Sequence, residues 1–167
     1  MKRILFFMCT VLLINTAYAQ IKKIDIVATG LTCSMCSNAI YKQLQSINGV
    51  DKVEIDLNKN LFTVILKNEH NLSPKDFKDK VEKAGFFIGS MVLYIDYSNL
   101  LIDDGKQEGI YFFIDTKQQT LNGEKQFRVL DKGYVTAKEF KKLLKSYTKY
   151  ASYATNNEND FHIKLIQ

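Results

Sequence analysis

Two cysteines with two residues between them, Cys33 and Cys36 in the stretch GLTCSMC, are the side chains of this sequence best suited to chemistry. A CxxC pair can capture a soft metal ion, run thiol–disulfide exchange, or close as a structural disulfide. The first two need thiolate, so the surroundings of the sulfurs matter. The pair lies where a strand-like stretch gives way to a helix-like one. A helix N-terminus carries unpaired N–H groups and the positive end of the dipole, and both lower a thiol pKa. Two thiolates hold Cu(I) or Hg(II) in near-linear coordination and leave room for an incoming ligand. Zn(II) normally takes four donors, and no second CxxC supplies them.

The elements that must position this pair follow from hydrophobic spacing. Ile24, Ile26 and Ala28 alternate with Lys23, Asp25 and Val27, the period of a strand, which Gly30 ends. Cys36, Ile40, Leu44 and Ile47 recur at helical spacing on one face, and Asn48-Gly49 stops that helix. Val53, Ile55 and Leu57 alternate with acids. The turn residues Asn58 to Asn60 then lead to LFTVILK, so a hairpin is predicted. Ser73 suits an N-cap and Pro74 a first helical position; Phe77, Val81 and Ala84 share a face, and Gly85 closes the helix. FFIGSMVLYID is a fourth strand with a possible break at Gly89. Strand, helix, strand, strand, helix, strand is the split βαβ order of a ferredoxin-like domain.

After Tyr97 the pattern changes. IYFFID is strand-like, Asn122-Gly123 reads as a turn, and QFRVLD reads as the partner strand. Thr136 and Glu139 form a capping box ahead of a helix whose apolar face is Phe140, Leu143, Leu144 and Tyr147. Phe161, Ile163 and Leu165 alternate in a final strand. The fold class expected is α+β: a ferredoxin-like βαββαβ metal-binding domain at 20–96, followed by a small α+β domain of unassigned role at 97–167.

GLTCSMC resembles the GMTCxxC signature of heavy-metal-associated domains, a family that includes copper chaperones, N-terminal domains of copper- and cadmium-transporting P-type ATPases, and exported mercury-binding proteins. The likeness extends through VATGLTCSMCSNAIYKQLQSINGVDKVEIDL and KVEKAGFFIG, about residues 22 to 90. It implies that Cys33 and Cys36 are the metal ligands and that Thr32 shapes the loop. Leu31 stands where methionine is usual, a volume-similar swap. Phe86 or Phe87 would match the aromatic that packs near the loop in many members. The lysine that many cytosolic chaperones carry there is missing, which leans away from that subgroup.

The first residues resemble a secretory signal peptide: Lys2 and Arg3, an apolar run from Ile4 to Ile14, and an A-x-A pattern at Ala17 and Ala19. The run is about half of the ~20 residues a spanning helix needs. Cleavage after Ala19 would remove Cys9 and leave Cys33 and Cys36 as the mature chain's cysteines. Export to a periplasm, or to the exterior if the source has one membrane, is the expectation. That compartment is oxidising, so a disulfide is chemically open to the pair. The net charge of +5 loses Lys2 and Arg3 with the leader, and the remaining lysines are scattered, so no nucleic-acid surface is expected.

Other candidates weigh less. Met35 is a soft side chain between the cysteines but is expected to face solvent. His70 and His162 have no clustered partner and are expected to be surface or hydrogen-bonded residues. The helix KEFKKLLKSYTKY could meet acidic partners or lipid head groups, although a solvated face is the ordinary role of such charges. No GxSxG, HExxH, P-loop or GxGxxG motif occurs, so no enzyme is expected. The reading is an exported protein that binds or transfers a soft ion, Cu(I) first and Hg(II) second, through Cys33 and Cys36. Its partners would be the ion and a membrane metal transporter or another metal-binding protein, and the apo chain would be a monomer. The alternatives are a thiol–disulfide redox protein and a non-metal interaction module with a structural disulfide.

Overall fold

The computed structural model describes residues 20–31, 34–155 and 157–166. Residues 1–19, Thr32, Cys33, Asn156 and Gln167 lie outside them. The chain runs β1 (Gln20–Thr29), α1 (Ser34–Gln45), β2 (Val50–Asp56), β3 (Leu61–Leu66), α2 (Pro74–Lys83) and β4 (Phe87–Ile102). It continues with β5 (Gln107–Glu108), β6 (Tyr111–Phe113), β7 (Gln119–Val129), α3 (Ala137–Ser146), α4 (Ala151–Thr155) and β8 (Phe161–Leu165).

The first six elements form the ferredoxin-like unit. Its strands lie in the order β2-β3-β1-β4, all antiparallel, with Ile24 of β1 opposite Val64 on one side and Leu93 on the other. Alternation sends Ile24, Ile26, Phe62, Val64, Met91, Leu93 and Ile95 to one face, where they are buried with Ile40 and Leu44 of α1 and Phe77 and Val81 of α2. Each such side chain contributes roughly 1.5–3 kcal/mol when fully buried. The start of α2 follows its residues: Pro74 occupies the first turn, and the Asp76 carboxylate accepts from the Ser73 backbone N–H at 2.7 Å and from its hydroxyl at 2.9 Å.

The sheet does not end at β4. It continues as β4-β7-β8-β6-β5 to a total of eight strands, and β6 and β8 are parallel. The division expected at 96/97 falls inside β4, which pairs with β1 on one side and β7 on the other. The main core continues across it, from Leu93 and Ile95 to Phe113, Phe127, Phe161 and Ile163. The helices divide between the faces. Where Phe127 of β7 points to the main core, its neighbour Arg128 points the other way and donates to Glu139 of α3 at 2.8 Å. Likewise Ile163 of β8 joins the main core, while His162 meets Tyr153 of α4 on the opposite face. There Ile114, Leu130, Val135 and Tyr153 form a second, smaller core with Phe140 and Leu143 of α3.

Two sequence expectations change. Asn122-Gly123 is not a hairpin turn; it lies inside β7 at an irregularity in the ladder with β4. Tyr97 pairs with Gly123 and Leu100 with Leu121, so β4 carries the extra residue there. Asn99 (φ 53°) and Gly123 (φ 71°) both take left-handed conformations, and the Asn99 N–H donates to Asn122 Oδ1 at 2.8 Å. A bulge needs the same residue types as a turn, and local sequence does not separate them. QFRVLD pairs with β4 and β8, not with IYFFID, because the crossover through α3 and α4 inserts β8 between them. The irregularity expected at Gly89 is a register shift rather than an end: Val27 pairs with Ser90 and Ala28 with Ile88, so Gly89 is an extra residue in β4, which runs on through it.

Candidate metal centre

Three segments converge where β1 ends. Gly30 leaves the strand at φ 87°, a left-handed conformation that favours glycine, and hands the chain to the cysteine loop. Leu31, which stands where the resembling family usually has methionine, is half-buried and packs on the main core. α1 then starts at Ser34, with Met35 80% exposed, Cys36 half-buried and Ser37 buried. Ile40 and Leu44, one and two turns on from Cys36, are fully buried. They anchor the helix and fix which way its first turn faces.

The third segment is the connection from α2 to β4. A Cβ placed on Gly30 would meet Phe86 Cδ1 at 3.9 Å, so Phe86 lies against the base of the loop. Phe87 is 67% exposed, so Phe86 is the aromatic that packs there. The strand ends are held together closely. Thr29 is paired with Phe87, and its hydroxyl donates to the Phe87 carbonyl at 3.2 Å. A Cβ on Gly89 would stand only 2.6 Å from Thr29 Cγ2, so only glycine fits at that crossing.

The start of α1 presents positive partial charge. Cys36 sits in the first turn of α1, where backbone N–H groups lack helical acceptors. That turn carries no acidic side chain of its own to offset its positive end. Cys33 precedes Ser34 by one residue but is outside the described residues, so the separation of the two sulfurs is not part of this geometry. Among the described residues, no group of three or more His, Cys, Asp and Glu side chains has an arrangement suited to a metal.

The other sequence candidates are placed elsewhere. His70 clasps β1 to the segment before α2: Nε2 lies 2.8 Å from the Ile21 carbonyl, and Nδ1 accepts from the Leu72 N–H at 3.1 Å. His162 is buried. Its Nδ1 lies 2.7 Å from Asp131 Oδ1 and its Nε2 2.9 Å from Ser152 Oγ, with the ring between Phe112 and Tyr153. Asp131 also accepts the His162 backbone N–H at 2.6 Å. This Asp–His–Ser chain escaped the sequence reading because its members lie far apart along the chain. A cleft of about 180 Å³ is lined by Asp131 and Tyr134 but not by His162 or Ser152, so the chain acts as a tie between β8, α4 and the end of β7.

A larger cleft, about 410 Å³, lies among Asp104, Asp115, Thr116, Lys117, Lys164 and Leu165. Its charges satisfy one another. Lys164 bonds Asp115 and holds that carboxyl below its usual range. Burial raises the Asp104 carboxyl, but bonds from Lys149, Tyr150 and the Asp115 N–H outweigh it and leave the net shift downward. On the open face of the first four strands, burial and a 2.8 Å bond to Asp25 push the Tyr94 hydroxyl up to about 12.

Comparison with known proteins agrees with the topology. Residues 26–87 match the model of the heavy-metal-associated domain. The copper chaperone CopZ of Staphylococcus haemolyticus is 35% identical over 57 residues, which are 34% of this chain and 82% of the chaperone. The copper-transporting ATPase RAN1 of Arabidopsis thaliana is 35% identical over 66 residues, 40% of this chain, and the chain spans only 6% of that ATPase. Among solved structures, the yeast copper transporter domain Ccc2a is 31% identical, with 40% of this chain and 90% of that one covered at a TM-score of 0.36. With more than two thirds of a chaperone covered at this identity, the chain belongs to the heavy-metal-associated domain family.

Proposed function

We propose that this protein carries a soft metal ion, Cu(I) before Hg(II), on the thiolates of Cys33 and Cys36. The supporting observation is Cys36 in the first turn of a buried-anchored helix whose N-terminus holds no acid, within a fold related to copper chaperones and copper ATPase domains. Two thiolates and one Cu(I) give a singly negative complex, which the unpaired N–H groups of α1 favour. Transfer is ligand exchange without redox change. A partner thiolate adds to the ion, one protein sulfur leaves, a second partner ligand adds, and the second sulfur follows. The protein supplies position and charge and makes or breaks no carbon bond, so this is carriage rather than enzymatic turnover.

The leader-like N-terminus supports carriage outside the cytoplasm, with a membrane metal transporter or another metal-binding protein as donor or acceptor. Titration of the reduced chain with Cu(I) against a competing chelator tests the proposal. About one equivalent is expected to bind tightly, and Cys33→Ser with Cys36→Ser is expected to abolish it. Stoichiometric binding retained by the double variant overturns the proposal.

A further inference from the structure

The lysines of α3 are the largest group of charges that metal carriage does not use. Lys138, Lys141, Lys142 and Lys145 are all exposed. Their spacing of three, four and seven residues puts them within about 100° of one another around the axis, over about 10 Å of helix. Phe140, Leu143 and Tyr147 occupy the opposite side and pack on the second core. The lysines therefore point directly away from the protein. Glu139, the acid of this helix, is turned toward the sheet and bound by Arg128 at 2.8 Å. Among the described residues none of the four lysines is paired with a carboxylate. Leu144, 39% exposed, borders the stripe.

We propose that this face of α3 docks on an anionic phospholipid bilayer. The composition selects that partner. Protein interfaces concentrate binding in Tyr, Trp and Arg and are depleted of Lys, and this face offers lysine on a convex helix. Lysine ammonium groups are compact, hydrated point charges that need no fixed partner geometry, which suits mobile lipid phosphates. The apolar side of α3 is used in the fold, so binding is electrostatic and the helix does not insert.

The stripe also starts at the right place. Thr136, the N-cap of α3, has its Cγ2 3.8 Å from the Cβ position of Gly89, beside Thr29 at the base of the cysteine loop. Docking through α3 would hold that end of the sheet near the membrane surface.

The experiment uses the full chain with vesicles of phosphatidylcholine alone or with phosphatidylglycerol. Lysine acetylation, read by mass spectrometry, reports each site separately and so is insensitive to anchoring by the apolar leader. The four lysines are expected to be protected several-fold by phosphatidylglycerol vesicles, unprotected by phosphatidylcholine vesicles, and released at high salt. Each lysine near an anionic surface is expected to give about a fivefold gain in partitioning, so Lys138→Gln, Lys141→Gln, Lys142→Gln and Lys145→Gln together remove a several-hundred-fold, charge-dependent part. Equal reactivity with both vesicle types overturns the proposal. So does protection by soluble polyglutamate without protection by phosphatidylglycerol, which would assign the face to an acidic protein.

Discussion

The crossing of Thr29 and Gly89 joins the end of β1, just ahead of the cysteine pair in sequence, to the start of β4, and its strength can be measured. In Gly89→Ala the new Cβ would stand 2.6 Å from Thr29 Cγ2. Threonine is β-branched, so its methyl cannot turn away cheaply, and turning it also disturbs the 3.2 Å bond from its hydroxyl to the Phe87 carbonyl. Overpacking of this kind costs about 1–3 kcal/mol. Gly89 does not have a positive φ, so the backbone accepts alanine. The loss of unfolded-chain freedom should even stabilise by about 0.4–1 kcal/mol once the clash is removed. Thr29→Ser removes Cγ2 and keeps the hydroxyl. Urea unfolding of the two single variants and the double variant should therefore show a sign change: Gly89→Ala destabilises the wild-type background and is neutral or stabilising in the Thr29→Ser background. The coupling expected is about 1–3 kcal/mol. Additive effects within about 0.5 kcal/mol would refute the close-packed crossing.

Three further outcomes are expected. Phe127→Ala should cost about 3–5 kcal/mol and lower the stability of both halves in one transition by circular dichroism, because Phe127 lies fully buried in the core they share. His162→Phe should cost about 1–3 kcal/mol by urea unfolding, more than Ser152→Ala, because it leaves buried Asp131 without its ring partner. In pH-dependent melting, Asp104 and Asp115, both held below the usual carboxylate range, contribute stability that is full above their unfolded pKa and lost as pH falls through their folded values; Asp115→Asn should flatten that acid limb. Tyr94, raised to about 12, works at the other end: its contribution is full below about pH 10 and is lost as pH rises toward 12, which absorbance of the phenolate follows.

The elements closest to the site were legible in the sequence because each is specified locally. Ile24 and Ile26 mark β1 by alternation, Ile40 and Leu44 mark α1 by helical spacing, and Ser73-Pro74 mark the start of α2; all appear where the pattern puts them. The later region was less legible because long-range pairing decides it. Nothing near Tyr97 indicates that β4 runs on to Ile102 and pairs with β7, and Asn122-Gly123 serves a bulge as well as it would a turn. The family resemblance selected Phe86 or Phe87, but only packing against Gly30 and exposure to solvent distinguish them. The ties through His70 and His162 join residues 49 and 31 positions apart, a separation that no local pattern carries.

The most direct test of metal carriage is copper K-edge X-ray absorption of the reduced, Cu(I)-loaded chain. Capture by Cys33 and Cys36 predicts nearest-neighbour scattering from two sulfurs, with no nitrogen or oxygen, and its loss when both cysteines are changed to serine. Scattering dominated by nitrogen or oxygen, or a sulfur signal that survives the double substitution, would contradict the account.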